Sequence, residues 1–123
     1  MPLHAQVIWQ QRFAEDRQAL ERRRGQGFEQ AQQAARTLAG RWPELRQVWL
    51  FGSLLGQGFR EHSDLDLLVE GLPSEALIEA LGLAERQGPM TVDLRRAEDL
   101  EPELRQRLLR RSKALLGERG GAA

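Results

Sequence analysis

Two apolar runs of strand length, each stopped by glycine, constrain this chain more than any other feature. Val48-Trp49-Leu50-Phe51 ends at Gly52, and Leu65-Asp66-Leu67-Leu68-Val69 ends at Gly71-Leu72-Pro73. Short apolar runs bounded by turn residues suit buried strands, and they are too short for amphipathic helices. Met90-Thr91-Val92-Asp93-Leu94 makes a third such segment, entered through the breaker Gly88-Pro89.

Helical spacing fills the intervals. Residues 4–39 carry Ile8, Phe13, Ala14, Leu20 and Phe28 at helical intervals among Gln, Arg and Glu. Gly25 and Gly27 each cost about 1 kcal/mol in a helix interior, so a break or kink is expected near residues 25–27. Beyond it, Phe28, Ala31, Ala35 and Leu38 form one stripe, and the helix should stop near Gly40 with Pro43 just beyond. Ser74 followed by Leu77, Ile78 and Leu81 predicts an N-capped helix over 74–86. Pro102 opens a last helix, with Leu104, Leu108, Leu109 and Leu115 as its apolar positions and Gly117 at its end. The order helix, strand, strand, helix, strand, helix predicts an α/β (α+β) fold, a small sheet flanked by helices. The 123 residues fit one domain. We read residues 1–40 as a helical arm, 41–116 as the core and 117–123 as a frayed tail.

Composition excludes several function classes. Eighteen basic and 18 acidic residues cancel, which argues against a binder that relies on many phosphate contacts to nucleic acid. With no cysteine, disulfides, zinc-thiolate sites and cysteine nucleophiles are ruled out. There is no tyrosine, so the chain offers no phenol as an acceptor. No apolar run is long enough for a signal peptide or a membrane span, so the expected compartment is the cytoplasm.

The chemistry concentrates in Phe51-Gly52-Ser53, then ten residues, then Asp64-Leu65-Asp66. Residues two apart on a strand share a face, so Asp64 and Asp66 project together while Leu65 turns into the core. Adjacent carboxylates repel, and a divalent cation with oxygen ligands, Mg²⁺, removes the conflict. Gly52 lets backbone approach a ligand closely, and N–H groups at the start of a turn beside the Ser53 hydroxyl form a phosphate cradle. Asp93, between Val92 and Leu94, needs a partner if its strand is buried. Should its strand neighbour that of Asp64, a third carboxylate joins and two metals can be held. Arg60 and His62 lie in the intervening loop, and Arg95 and Arg96 follow Asp93.

At these residues the sequence resembles the polymerase-β-like nucleotidyltransferases, specifically the minimal nucleotidyltransferases, which include adenylyltransferase antitoxins of the MntA type. Phe51-Gly52-Ser53 to Asp64-Leu65-Asp66-Leu67-Leu68-Val69 is similar to the family signature, and Val92-Asp93-Leu94 to its third-carboxylate strand. The resemblance spans about residues 28–116. It implies a mixed sheet flanked by helices, Mg²⁺ dependence and transfer of a nucleotide, commonly AMP from ATP. By that match Gly52 and Ser53 bind the nucleotide. Asp64, Asp66 and Asp93 bind metal, and Asp93 also helps activate the acceptor hydroxyl. Many members carry Arg and Gly soon after the Gly-Ser pair; here Leu54-Leu55-Gly56-Gln57-Gly58 follows.

The resemblance implies a helical protein partner, either a HEPN-type toxin modified on tyrosine or a substrate-binding subunit. The arm, about residues 4–24, is expected to pack against another chain, as in a homodimer, or against another part of this one, because isolated helices are marginal in water. Two rival readings are a non-catalytic antitoxin that keeps the fold, and an adenylyltransferase acting on a small-molecule hydroxyl. Intact Ser53, Asp64, Asp66 and Asp93 favour catalysis over the first. The short chain counts against the second.

Overall fold

The computed structural model describes residues 2–56 and 58–117. The expected frayed tail lies outside the described residues from 118 onward. A long helix α1 (Pro2–Arg41) leads into β1 (Gln47–Phe51), and β2 (Leu65–Glu70) follows after a loop. Then come α2 (Leu77–Glu85), β3 (Val92–Arg96), α3 (Pro102–Arg110) and the short β4 (Lys113–Ala114). The sheet order is β3-β2-β1-β4, with β1 antiparallel to both neighbours and β2 parallel to β3. All three apolar segments therefore lie in one sheet, as their composition predicts.

The core forms where α1 and α2 cover this sheet. Ala31, Ala34, Ala35 and Leu38 of α1 pack with Val48, Leu50, Leu65, Leu67 and Val69 of the strands, all buried. Small alanines let the helix backbone sit close to the sheet. Among the described residues Gln30 is the buried polar exception, and both ends of its amide are bonded. Its Nε2 donates to the carbonyls of Ala84 (3.2 Å) and Met90 (2.9 Å), and its Oε1 accepts from Met90 N–H (2.8 Å). One side chain thus pins α1 to the end of α2 and to the approach of β3, satisfying groups that would be costly to bury unpaired.

Three sequence expectations need correction. First, α1 does not break at residues 25–27. A Cβ on Gly27 would lie 2.8 Å from Met90 Sδ and 3.0 Å from Leu54 Cδ1, so this glycine serves close packing within a continuous helix. Second, Ser74 does not cap α2. It opens a 3-10 turn (Ser74–Ala76), and its hydroxyl faces Glu75 at 3.4 Å. Third, the last helix stops at Arg110, and Leu115 belongs to the strand edge. Trp49 pairs with Ala114, Leu50 with Lys113, and Leu115 N–H donates to Val48 O (2.8 Å). Pairing covers part of the free edge of β1, which would otherwise expose its backbone groups.

The first part of α1 stands clear of the core. Val7, Ile8, Trp9 and Phe13 are exposed, the last two at 61% and 64%.

Candidate active site

The strand register assembles the site. Phe51, the last residue of β1, lies opposite Asp66, and Asp66 is the direct neighbour of Asp93 on β3. Residues in register on adjacent strands project from the same face about 5 Å apart, so Asp66 and Asp93 stand side by side. Asp64 lies just before β2, two residues from Asp66. Its Oδ1 accepts a short hydrogen bond from Thr91 Oγ1, and Leu65 N–H donates to Thr91 O (2.9 Å).

Gly52 closes the other side. Its φ of +84° with ψ of −156° lies in a region that only glycine occupies readily. A Cβ there would collide with the Asp66 carboxylate. Glycine is required twice over, once by backbone conformation and once by space beside the central carboxylate. A 3-10 turn (Ser53–Leu55) follows, with Leu55 N–H to Gly52 O (3.2 Å) and Gly56 N–H to Ser53 O (3.1 Å). The earliest N–H groups of such a turn have no acceptor within it.

Asp66 carries the electrostatic signature. Partial burial, then the charge of Asp93, then that of Asp64 push its pKa up from 3.8 to about 6, while Arg95 pulls the other way. Arg95 reaches Asp93 at 3.4 Å and stays on this face. Arg96 does not: it donates to Leu72 O (2.8 Å) and pairs with Asp99 (2.6 Å), a structural role. The three carboxylates share a face, yet no group of three acids or histidines among the described residues is drawn close enough to hold a metal ion as placed. The expected convergence on one point is therefore not seen. Asp64 is engaged by Thr91 and Asp93 by Arg95, arrangements that ease like-charge repulsion. The donor set still fits a hard divalent cation: Asp66 and Asp93 are oxygen donors in register with Asp64 two residues away, and the central one has a raised pKa that a cation would lower.

The raised pKa has a stability consequence. The native state holds the Asp66 proton up to about pH 6, whereas the unfolded chain releases it near 3.8. Between those values the native state binds more protons, so its stability falls as pH rises through the window. We expect Asp66→Asn to raise the metal-free melting temperature above pH 6 and to bring no gain below about pH 4. Melts of both proteins across that range in EDTA check this. A gain that does not vary with pH would show that repulsion at Asp66 is not its source.

Sequence reading missed two cations. Arg107 and Arg111 of the α3 end line a cleft of about 450 Å³ with Phe51, Gly52, Leu55, Gly56 and Leu108. Their spacing of four residues puts them on one helix face, but only the tertiary approach of α3 brings that face to the Gly52 turn. Arg60 and His62 are exposed in the loop before Asp64.

A four-stranded mixed sheet bears this carboxylate pair beside the glycine-serine turn, and the chain belongs to the nucleotidyltransferase domain family, whose family model matches residues 31–115. No curated protein matches the sequence. Among solved structures, the chain is 28% identical to a protein described as a minimal nucleotidyltransferase, with a TM-score of 0.54 over 80% of this chain and 94% of that one. It is 30% identical to a variant of the MntA–HpeT toxin–antitoxin, with a TM-score of 0.54 over 65% of this chain and 66% of that one. A toxin–antitoxin crystallised with AMP-PNP shares the fold at 24% identity and a TM-score of 0.60, over 70% of this chain and 73% of that one.

Proposed function

We propose that the chain is a Mg²⁺-dependent adenylyltransferase that moves AMP from ATP onto a hydroxyl of a separate helical protein of the HEPN type. The observation that carries this reading is the register pair Asp66–Asp93 beside a glycine that cannot bear a side chain. Ser53 and the first amides of its turn would take the triphosphate. Asp64, Asp66 and Asp93 would hold the metal, and Asp93 would accept the acceptor's proton as its oxygen bonds to the α-phosphorus and pyrophosphate leaves. When bound, Mg²⁺ supplies neutralisation of charge on the triphosphate and on the leaving group.

Two observations support a protein acceptor. The chain has no tyrosine of its own to modify, and α1 offers Val7, Ile8, Trp9 and Phe13 to solvent. The similarity to a toxin–antitoxin pair points the same way. No described helix is long and apolar enough to cross a membrane.

The test is incubation with labelled ATP, Mg²⁺ and a helical protein of the HEPN type. Label should pass to a tyrosine of that protein, only with Mg²⁺ and not with Asp64→Asn. Tight complex formation with no label on either protein would instead favour a binding antitoxin that retains the fold without turnover.

A further inference from the structure

We propose that Arg24 is a positioning residue for the donor triphosphate, setting the Gly52–Gly56 turn from behind through the long helix. The inference rests on the adenylyltransferase reading and names a residue that the family signature does not contain.

The turn is weakly held by itself. It is bounded by Gly52 and Gly56, and its two internal bonds are long for N–H to O contacts, at 3.2 and 3.1 Å. A 3-10 turn also has poorer hydrogen-bond geometry than an α-helix. The missing restraint comes from α1, at two points three residues apart on one helix face. Gly27 brings the helix backbone against Leu54, so closely that a Cβ would stand 3.0 Å from its Cδ1. Arg24 then closes the fork: Nη1 donates to Leu54 O at 2.5 Å and Nη2 to Gly56 O at 3.3 Å. The guanidinium stacks 5.0 Å over the Phe59 ring, farther along the same connection, and Glu21 balances its charge at 3.8 Å.

This geometry has a chemical sense. Carbonyl oxygens are the groups a triphosphate repels. Arg24 takes two of them from one turn and neutralises their negative ends. It does not line the cleft that Phe51, Gly52, Leu55 and Gly56 form with α3, so it shapes the cradle without entering it. The turn itself offers Leu54 and Leu55, and the guanidinium that steadies it arrives from a helix 30 residues away in sequence. The planar fork suits two carbonyls at once; a lysine offers one point donor.

The test compares full-length wild type, Arg24→Ala, Arg24→Lys and the control Arg22→Ala. Calorimetry gives the Kd for Mg²⁺-ATP, and hydrogen exchange follows the amides of Leu55 and Gly56. We expect Arg24→Ala to weaken Mg²⁺-ATP by about 10-fold, as loss of a charge-assisted fork implies. KM should rise in step while kcat at saturation changes little, exchange at the two amides should quicken, and Arg22→Ala should match wild type. Arg24→Lys should fall between, and it decides the matter alone if Arg24→Ala does not fold. A variant that melts earlier yet binds Mg²⁺-ATP as wild type does would make Arg24 purely structural and overturn the proposal. If wild type binds no Mg²⁺-ATP, the adenylyltransferase reading falls and this one with it; wild-type binding with unchanged variants sinks this one alone.

Discussion

Asp64→Asn and Asp66→Asn are expected to lower kcat/KM for nucleotide transfer by on the order of 10³-fold or more, equivalent to about 4 kcal/mol of lost transition-state stabilisation. The size follows from what the carboxylates would do together. Each neutral amide removes a charged oxygen donor from a site where Mg²⁺ has few protein ligands to spare. The triphosphate then loses both its counter-charge and its alignment with the acceptor. Asp66 should be the more sensitive of the two, because it sits between Asp93 on the neighbouring strand and Gly52, whereas Asp64 lies outside the strand and is exposed. The companion measurement is thermal stabilisation by Mg²⁺-ATP. Wild type should gain and the Asn variants should gain far less, since only ligand bound to the native state shifts the melt. Equal gains in all three proteins would mean that these carboxylates are not where the metal-nucleotide sits.

How much of this site could be read beforehand depends on the range of the interactions. Strands are local statements: an apolar run ended by Gly52 or Gly71 needs no distant partner to be recognised, and all three runs lie in the sheet. The sharing of one face by Asp64 and Asp66 is equally local, being the pleat of a single strand. That Asp93 adjoins Asp66 depends on β3 pairing parallel to β2, which spacing alone allowed without requiring. Apart from Ser74, whose missed cap is local, the failures are long-range. Gly25 and Gly27 look like helix breakers, because the reason for Gly27 lies in Leu54 and Met90. The two residues of β4 carry no period, and only the open edge of β1 gives them a role. Arg24 sits in an Arg22-Arg23-Arg24 run whose members look alike until one of them reaches the carbonyls of Leu54 and Gly56.

Gly52→Ala is expected to lower the melting temperature by roughly 10 °C and to abolish measurable Mg²⁺-ATP binding. Two separate costs combine. The backbone at φ +84° and ψ −156° is open to glycine and strained for alanine, at about 1–3 kcal/mol. The added methyl also meets the Asp66 carboxylate and comes within 3.2 Å of its Cβ, which the strand pairing of Asp66 with Phe51 and Asp93 keeps in place. Together these come to about 3 kcal/mol or more, and each kcal/mol moves the melt of a domain this size by about 3–6 °C. A double-mutant cycle separates the two costs. Asp66→Ala removes the carboxylate that the methyl strikes but leaves the strained φ untouched. In that background Gly52→Ala should therefore cost less than in wild type, by about 1 kcal/mol or more of coupling. Strict additivity would place the whole cost in backbone strain and would deny that Gly52 is there to keep space beside Asp66. Coupling of the expected sign would tie glycine and carboxylate into one unit, the arrangement a cation and a triphosphate would need if both are to reach Asp66 from the same side.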